Sequence, residues 1–167
     1  MINHEDGLRG SKKLTYAEWD ERLEAVVRTD SVWDVSSELM FVCKLVNGTL
    51  LGRRLWEHSS NESAAEGSAI YLKPWHPAAC GGFGLGIEEA CYSRYDTGSG
   101  LELQYWHLRS GKFQLCGSEP DIGPLETAAV LLDHYRTING IPCEVLGAVL
   151  DMERSKVLLF IREEGRE

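Results

Sequence analysis

Residues 14–28 read LTYAEWDERLEAVVR, and the class of the fold turns on whether they form a helix. Thr15-Tyr16-Ala17-Glu18 has the spacing of a capping box, in which the Thr hydroxyl and the Glu carboxylate satisfy the free amides of a helix start. Leu14 and Trp19 flank it as a hydrophobic staple. Trp19, Leu23, Val26 and Val27 then fall at i, i+4, i+7 and i+8, the apolar face of an amphipathic helix. The stretch predicts a helix ending near Arg28, preceded by a polar, flexible tail over residues 1–13.

Outward from this segment, strand signals dominate. Leu39–Val46 is an apolar run of strand length, and Asn47-Gly48 after it suits a two-residue hairpin turn, with Thr49–Trp56 returning as its partner. Residues 57–68 are small and polar and read as a loop. A short strand at Ile70–Leu72 is closed off by Pro74 and Pro77. Phe83, Leu85 and Ile87 alternate with Gly84, Gly86 and Glu88, the pattern of a strand with one buried face. Leu101–Arg109 and Lys112–Cys116 form a hairpin about Ser110-Gly111. Pro124 opens a second helix whose face carries Leu125, Ala128, Ala129, Leu132 and Tyr135, stopped by Asn139-Gly140 and Pro142. Cys143–Ile161 reads as two strands turning about Met152–Ser155. No internal repeat or domain boundary is legible. These elements predict a single α+β domain over residues 14–167, with a largely antiparallel sheet of about five to seven strands packed with two helices.

The 167 residues carry 26 acidic and 17 basic side chains, a formal charge of −9. Phosphate contacts draw their affinity from Lys and Arg, so direct nucleic-acid binding is disfavoured, and anionic membranes for the same reason. A basic protein partner suits such a surface. Five cysteines, Cys43, Cys80, Cys91, Cys116 and Cys143, are odd in number and include no C-x-x-C pair, which argues against a disulfide framework and for a reducing compartment. The polar start Met1–Asp6 lacks the apolar core of a signal peptide, and no apolar run reaches membrane-spanning length. A cytoplasmic protein is the expectation.

Motifs that could carry chemistry are incomplete. The glycines of Cys80-Gly81-Gly82-Phe83-Gly84-Leu85-Gly86 suggest a phosphate loop, but Ile87 stands where a dinucleotide fingerprint needs its last Gly, and no G-K-[ST] follows. Cys80 could act as a nucleophile beside backbone amides, with His107 or His58 as its base, although a buried free cysteine is the commoner role. His76, Cys80, Cys91 and His107 have the residue types of a zinc site without its paired spacing, so no metal and no cofactor is expected. No catalytic residue is assigned. Carboxylates and aromatics do gather between residues 88 and 106: Glu88, Glu89, Tyr92, Tyr95, Asp96, Glu102 and Trp106. Those exposed would make an acidic, aromatic patch suited to binding protein.

From Phe83 onward the chain resembles one family of bacterial immunity proteins, the family often paired with deaminase toxins. The resemblance runs through Gly84-Leu85-Gly86-Ile87, a tyrosine-bearing strand pair, Glu119-Pro120-Asp121, the helix at Leu125–Thr137, and Asn139-Gly140-Ile141-Pro142 leading into a strand. The family's usual Trp two residues after a Val is absent at Val145-Leu146-Gly147. The resemblance implies a non-catalytic inhibitor that docks on a toxin and blocks its active site. The same charge and composition also fit a phage-type antagonist of a nucleic-acid enzyme, a small cysteine-dependent enzyme using Cys80, or an acidic secretion chaperone.

Overall fold

The computed structural model describes residues 11–93 and 100–165. Among these, ten strands form one mixed sheet with four helices, in place of the smaller, largely antiparallel sheet with two helices that the local patterns suggest. The extra strands come from segments whose hairpin partners are local, and the parallel pairs from contacts between segments far apart in sequence. No turn motif announces such pairs.

The segment 14–28 is the main correction. It is not a helix: β1 (Ser11–Asp20) and β2 (Ala25–Ser36) form a hairpin, and β1 also pairs in parallel with β5 (Gly67–Pro74). Leu14 and Tyr16 alternate into the core with no exposed surface, while Leu23, Val26 and Val27 stand in solvent. Pairing on both edges of β1 outweighs the intrinsic preference of the segment, and the valines and threonine of β2 suit a strand. Asp20 caps the turn instead, its Oδ1 accepting from the amides of Arg22 and Leu23 at 2.8 and 3.1 Å. Ser11–Lys13, placed in the tail by the sequence, begin β1, and residues 1–10 lie outside the described residues.

The run Leu39–Val46 is likewise a helix rather than a strand, α1 (Ser37–Leu45). Ser36 caps it by accepting from the Leu39 amide at 3.0 Å, with Glu38 in the first turn and Lys44 in the last, charges that match the helix dipole. Asn47-Gly48 makes no turn. Gly48 opens β3 (Gly48–Leu51), where a Cβ would stand 2.5 Å from the Trp56 carbonyl oxygen. The turn falls at Gly52-Arg53, both with positive φ, before β4 (Arg54–Ala64), so the supposed loop over residues 57–68 is mostly β4 and the start of β5. Then come α2 (Ala79–Gly82) and α3 (Gly84–Tyr92), the latter replacing the strand expected there.

The remaining elements follow the sequence more closely. β6 (Glu102–Arg109) and β7 (Lys112–Pro120) form the hairpin about Ser110-Gly111. α4 (Pro124–Leu131) starts at Pro124 but stops before Tyr135, which opens β8 (Tyr135–Ile138); Asn139-Gly140 is the turn into β9 (Ile141–Asp151), and β10 (Lys156–Glu163) closes the chain. The sheet runs β2-β1-β5-β4-β3-β9-β10-β6-β7, with β8 beside the first residues of β9.

This order contains a repeat that the sequence conceals. β1–β2–α1–β3–β4–β5 and β6–β7–α4–β8–β9–β10 have the same connectivity, and in each the first strand lies parallel to the last. The registers also match. Tyr16 and Tyr105 each sit just before a bulge on the partner strand. The shift after His58 in β4 against β5 has its counterpart after Val145 in β9 against β10, and the ion pair Glu57–Lys73 at 4.0 Å recurs as Glu144–Arg162 at 2.7 Å. The helices α1 and α4 cover one face of the sheet over a core that includes Tyr16, Trp56, Ile70, Leu103, Leu150 and Leu159. The opposite face is different in the two halves, because the segment joining them, α2 and α3, covers the second half and only the β3–β4 turn region of the first, around Leu50 and Leu55.

Candidate functional site

The joining segment is held where it is by glycines that close packing requires. A Cβ on Gly84 would stand 2.3 Å from the His76 carbonyl oxygen and 2.7 Å from that of Pro77, so the chain can start α3 there only without a side chain. The Trp75 indole donates to the Gly84 carbonyl at 2.8 Å. Ahead of it Cys80, Gly81 and Gly82 all have positive φ, a left-handed path that costs glycine little and Cys80 more.

From this anchor α3 lays Gly84, Ile87, Ala90 and Cys91 onto Trp106, Phe113, Leu158 and Phe160. Phe113 and Phe160 meet edge to face at 4.9 Å. The other side of α3 presents Leu85, Glu88, Glu89 and Tyr92, at i, i+3, i+4 and i+7, as one stripe to solvent. Leu85 is 66% exposed and Tyr92 49%. The Tyr92 hydroxyl accepts from the Leu55 amide at 2.9 Å, which fixes the ring at the end of the stripe. Glu89 lies 3.7 Å from Lys112 on the surface. Two carboxylates in the second half of a helix add to the negative end of its dipole, so the stripe is a cation-attracting strip between two apolar knobs.

The residues expected to form a patch divide. Glu88, Glu89 and Tyr92 come together, on a helix rather than on the strand whose alternation would have parted the two glutamates. Leu85 joins them; its exposure is legible only once the period is taken as helical. Tyr95 and Asp96 lie outside the described residues. Glu102 begins β6, where it accepts from the Gln104 amide at 2.9 Å and lies 3.8 Å from the buried Lys156 ammonium. Trp106 is not a surface residue: it is 5% exposed beneath α3, with its indole donating to Gln104 Oε1 at 3.1 Å.

Cys80 lacks the setting of a nucleophile. Burial, reinforced by the charge of Glu57, pushes its thiol up to about 11, so it stays protonated near neutrality. Its sulfur packs against Gly147, where a Cβ would come within 2.5 Å of it. His58 and His107 point to the other face of the sheet, as the register with Leu72 and Ile161 places them. His58 is hydrogen-bonded to Thr49 at 2.6 Å, and His107 Nδ1 accepts from Arg109 Nε at 3.0 Å. Among the described residues no three His, Cys, Asp or Glu side chains are grouped to hold a metal ion, and His76, Cys80, Cys91 and His107 stand on separate elements. A cleft of about 660 Å³ lies between His107–Gly111, Ile141 and Arg162-Glu163, away from Cys80.

No helix among the described residues is long and apolar enough to cross a membrane. Comparison with protein-family models, with curated proteins and with solved structures finds no match for this chain.

Proposed function

We propose that the protein is a non-catalytic inhibitor that docks on a basic protein partner in the cytoplasm, as an immunity protein docks on a toxin. The observation that carries this reading is the α3 stripe, in which an exposed leucine and a hydrogen-bonded tyrosine flank two carboxylates. Exposed apolar side chains set among charges are what a protein interface needs: anchors that lose water on contact and charges that steer and select the partner. The formal charge of −9 supports a basic partner, and the resemblance to deaminase-associated immunity proteins supports a toxin as that partner.

The test is affinity capture from the native source with the full chain as bait, at low and high salt, with the partner identified by mass spectrometry and assayed for activity. A stoichiometric basic partner, silenced by the wild-type chain and released by Leu85→Asp with Tyr92→Ala, is the expected result. A partner held equally well by that variant would refute the α3 surface.

A further inference from the structure

The repeat makes the uncovered face of the first half informative. Register places Ala17 and Tyr71 where the second half has Trp106 and Phe160, and the pair Trp19 and Val26 where it has Leu108 and Phe113. In the second half those positions lie under α3. The first half has no helix equivalent to α3 among the described residues: Ala17 is buried beneath its neighbours on the sheet, but Val26 is left exposed. Trp19 and Tyr71 meet edge to face at 5.7 Å and are half-buried, with the Tyr71 hydroxyl donating to Glu62 at 2.6 Å. On the same side of the sheet Val26 is 46% and Val32 54% exposed. A soluble surface seldom gathers apolar side chains this way without an occupant.

We infer that this face of β1, β2 and β5 is a second docking surface, and that it takes an amphipathic helix bearing lysine or arginine from a protein partner. Two observations choose that occupant. The equivalent face in the second half is filled by a helix of this chain, whose Gly84, Ile87, Ala90 and Cys91 give the shape of what fits. The turn of the flanking hairpin, residues 20–24, carries Asp20, Glu21 and Glu24 against Arg22, and Glu62 stands beside Tyr71, an acidic rim that selects a cationic helix. The inference rests on the proposed function for the existence of a basic partner, and adds a surface and a mode of contact to it. Because α3 lies on the same side of the sheet, a single partner can meet both.

The experiment titrates the full chain, isotope-labelled for NMR, with a synthetic amphipathic helix of leucine and lysine. The expected result is shifts at Trp19, Val26, Val32 and Tyr71 that weaken with salt, and binding about tenfold weaker or worse for Val26→Lys with Val32→Lys, the loss of an interface anchor. Both valines are exposed, so this variant keeps its fold, checked by its unchanged spectrum elsewhere. Shifts confined to the α3 stripe would overturn the inference and leave the α3 reading standing. A dimer of the chain in sedimentation that the double variant dissolves would assign the face to a second copy and overturn the helical occupant. No shift at all would overturn it as well, whereas capture of a partner independent of the α3 stripe would refute only the earlier reading.

Discussion

Mild acid should weaken the fold through one histidine. His58 sits beside the core: its ring is 6.5 Å from that of Tyr16, its Nε2 is 2.6 Å from Thr49 Oγ1, and the Val46 carbonyl accepts from it. Burial pushes the ring down from 6.5 to about 4, against a smaller upward effect of the Val46 carbonyl. The fold therefore holds the ring neutral, while the unfolded chain begins to take up a proton near pH 6.5. The stability this neutral ring contributes is present above pH 6.5 and is lost as pH falls through about 4. The full gap is worth about 3 kcal/mol, of which about 2 kcal/mol is lost between pH 7 and pH 5, a window in which ordinary carboxylates hardly titrate. Urea unfolding at pH 7, 6 and 5 should show that loss in the wild-type chain and a flatter profile in His58→Gln, which itself costs about 1 kcal/mol at pH 7 through its altered hydrogen bonds. The His107 ring is also pushed down, by burial and by Arg109, so a residual slope of the same sign remains in the variant. Parallel profiles for the two proteins would refute the assignment to His58.

Gly84→Ala should lower stability by about 1–3 kcal/mol in the same assay, because its Cβ meets two backbone carbonyls rather than a side chain that can swing away; an unchanged urea midpoint would mean α3 is not anchored there. Phe113→Ala, which removes the ring under Gly86 and against Phe160, should cost about 3–5 kcal/mol and loosen α3, read as faster amide exchange across Ile87–Cys91. Leu85→Asp should leave stability within about 0.5 kcal/mol while weakening partner capture, since the side chain is mostly in solvent. Under native conditions a thiol reagent should modify the exposed Cys116 first and Cys80 slowly, whereas preferential labelling of Cys80 would revive the nucleophile.

Where structure depends on neighbours in sequence, the residues declare it. Ser110-Gly111 turns the β6–β7 hairpin, Pro124 starts α4, and the β9–β10 pair spans nearly the stretch its alternation suggests. Where it depends on distant partners, local signals mislead. The capping-box spacing at Thr15–Glu18 is real, but β5 supplies six paired positions along β1 that no local pattern can reveal. Leu39–Val46 is apolar enough for a buried strand, and only the Ser36 cap distinguishes the helix. The same error of period hid the α3 stripe. Alternation of Phe83, Leu85 and Ile87 sends Leu85 inward, whereas the helix turns it out beside Glu88, Glu89 and Tyr92.

The repeat escapes a sequence reading for a further reason. Equivalent positions in the two halves preserve register and bulges, which are properties of backbone pairing, and keep few side chains. Leu14 and Leu103, Tyr16 and Tyr105, and Glu57 and Glu144 are kept. Elsewhere the side chains have diverged according to what covers them. Under α3 the second half places Trp106 and Phe160, which would be costly in water; the first half places Ala17 and Tyr71 at the same points, smaller or able to hydrogen-bond. Yet Val26 and Val32 remain in solvent on that bare face, and charged side chains would serve solubility better there. The exposure of the two valines beside the Trp19–Tyr71 pair is what a docking face requires of the free protein.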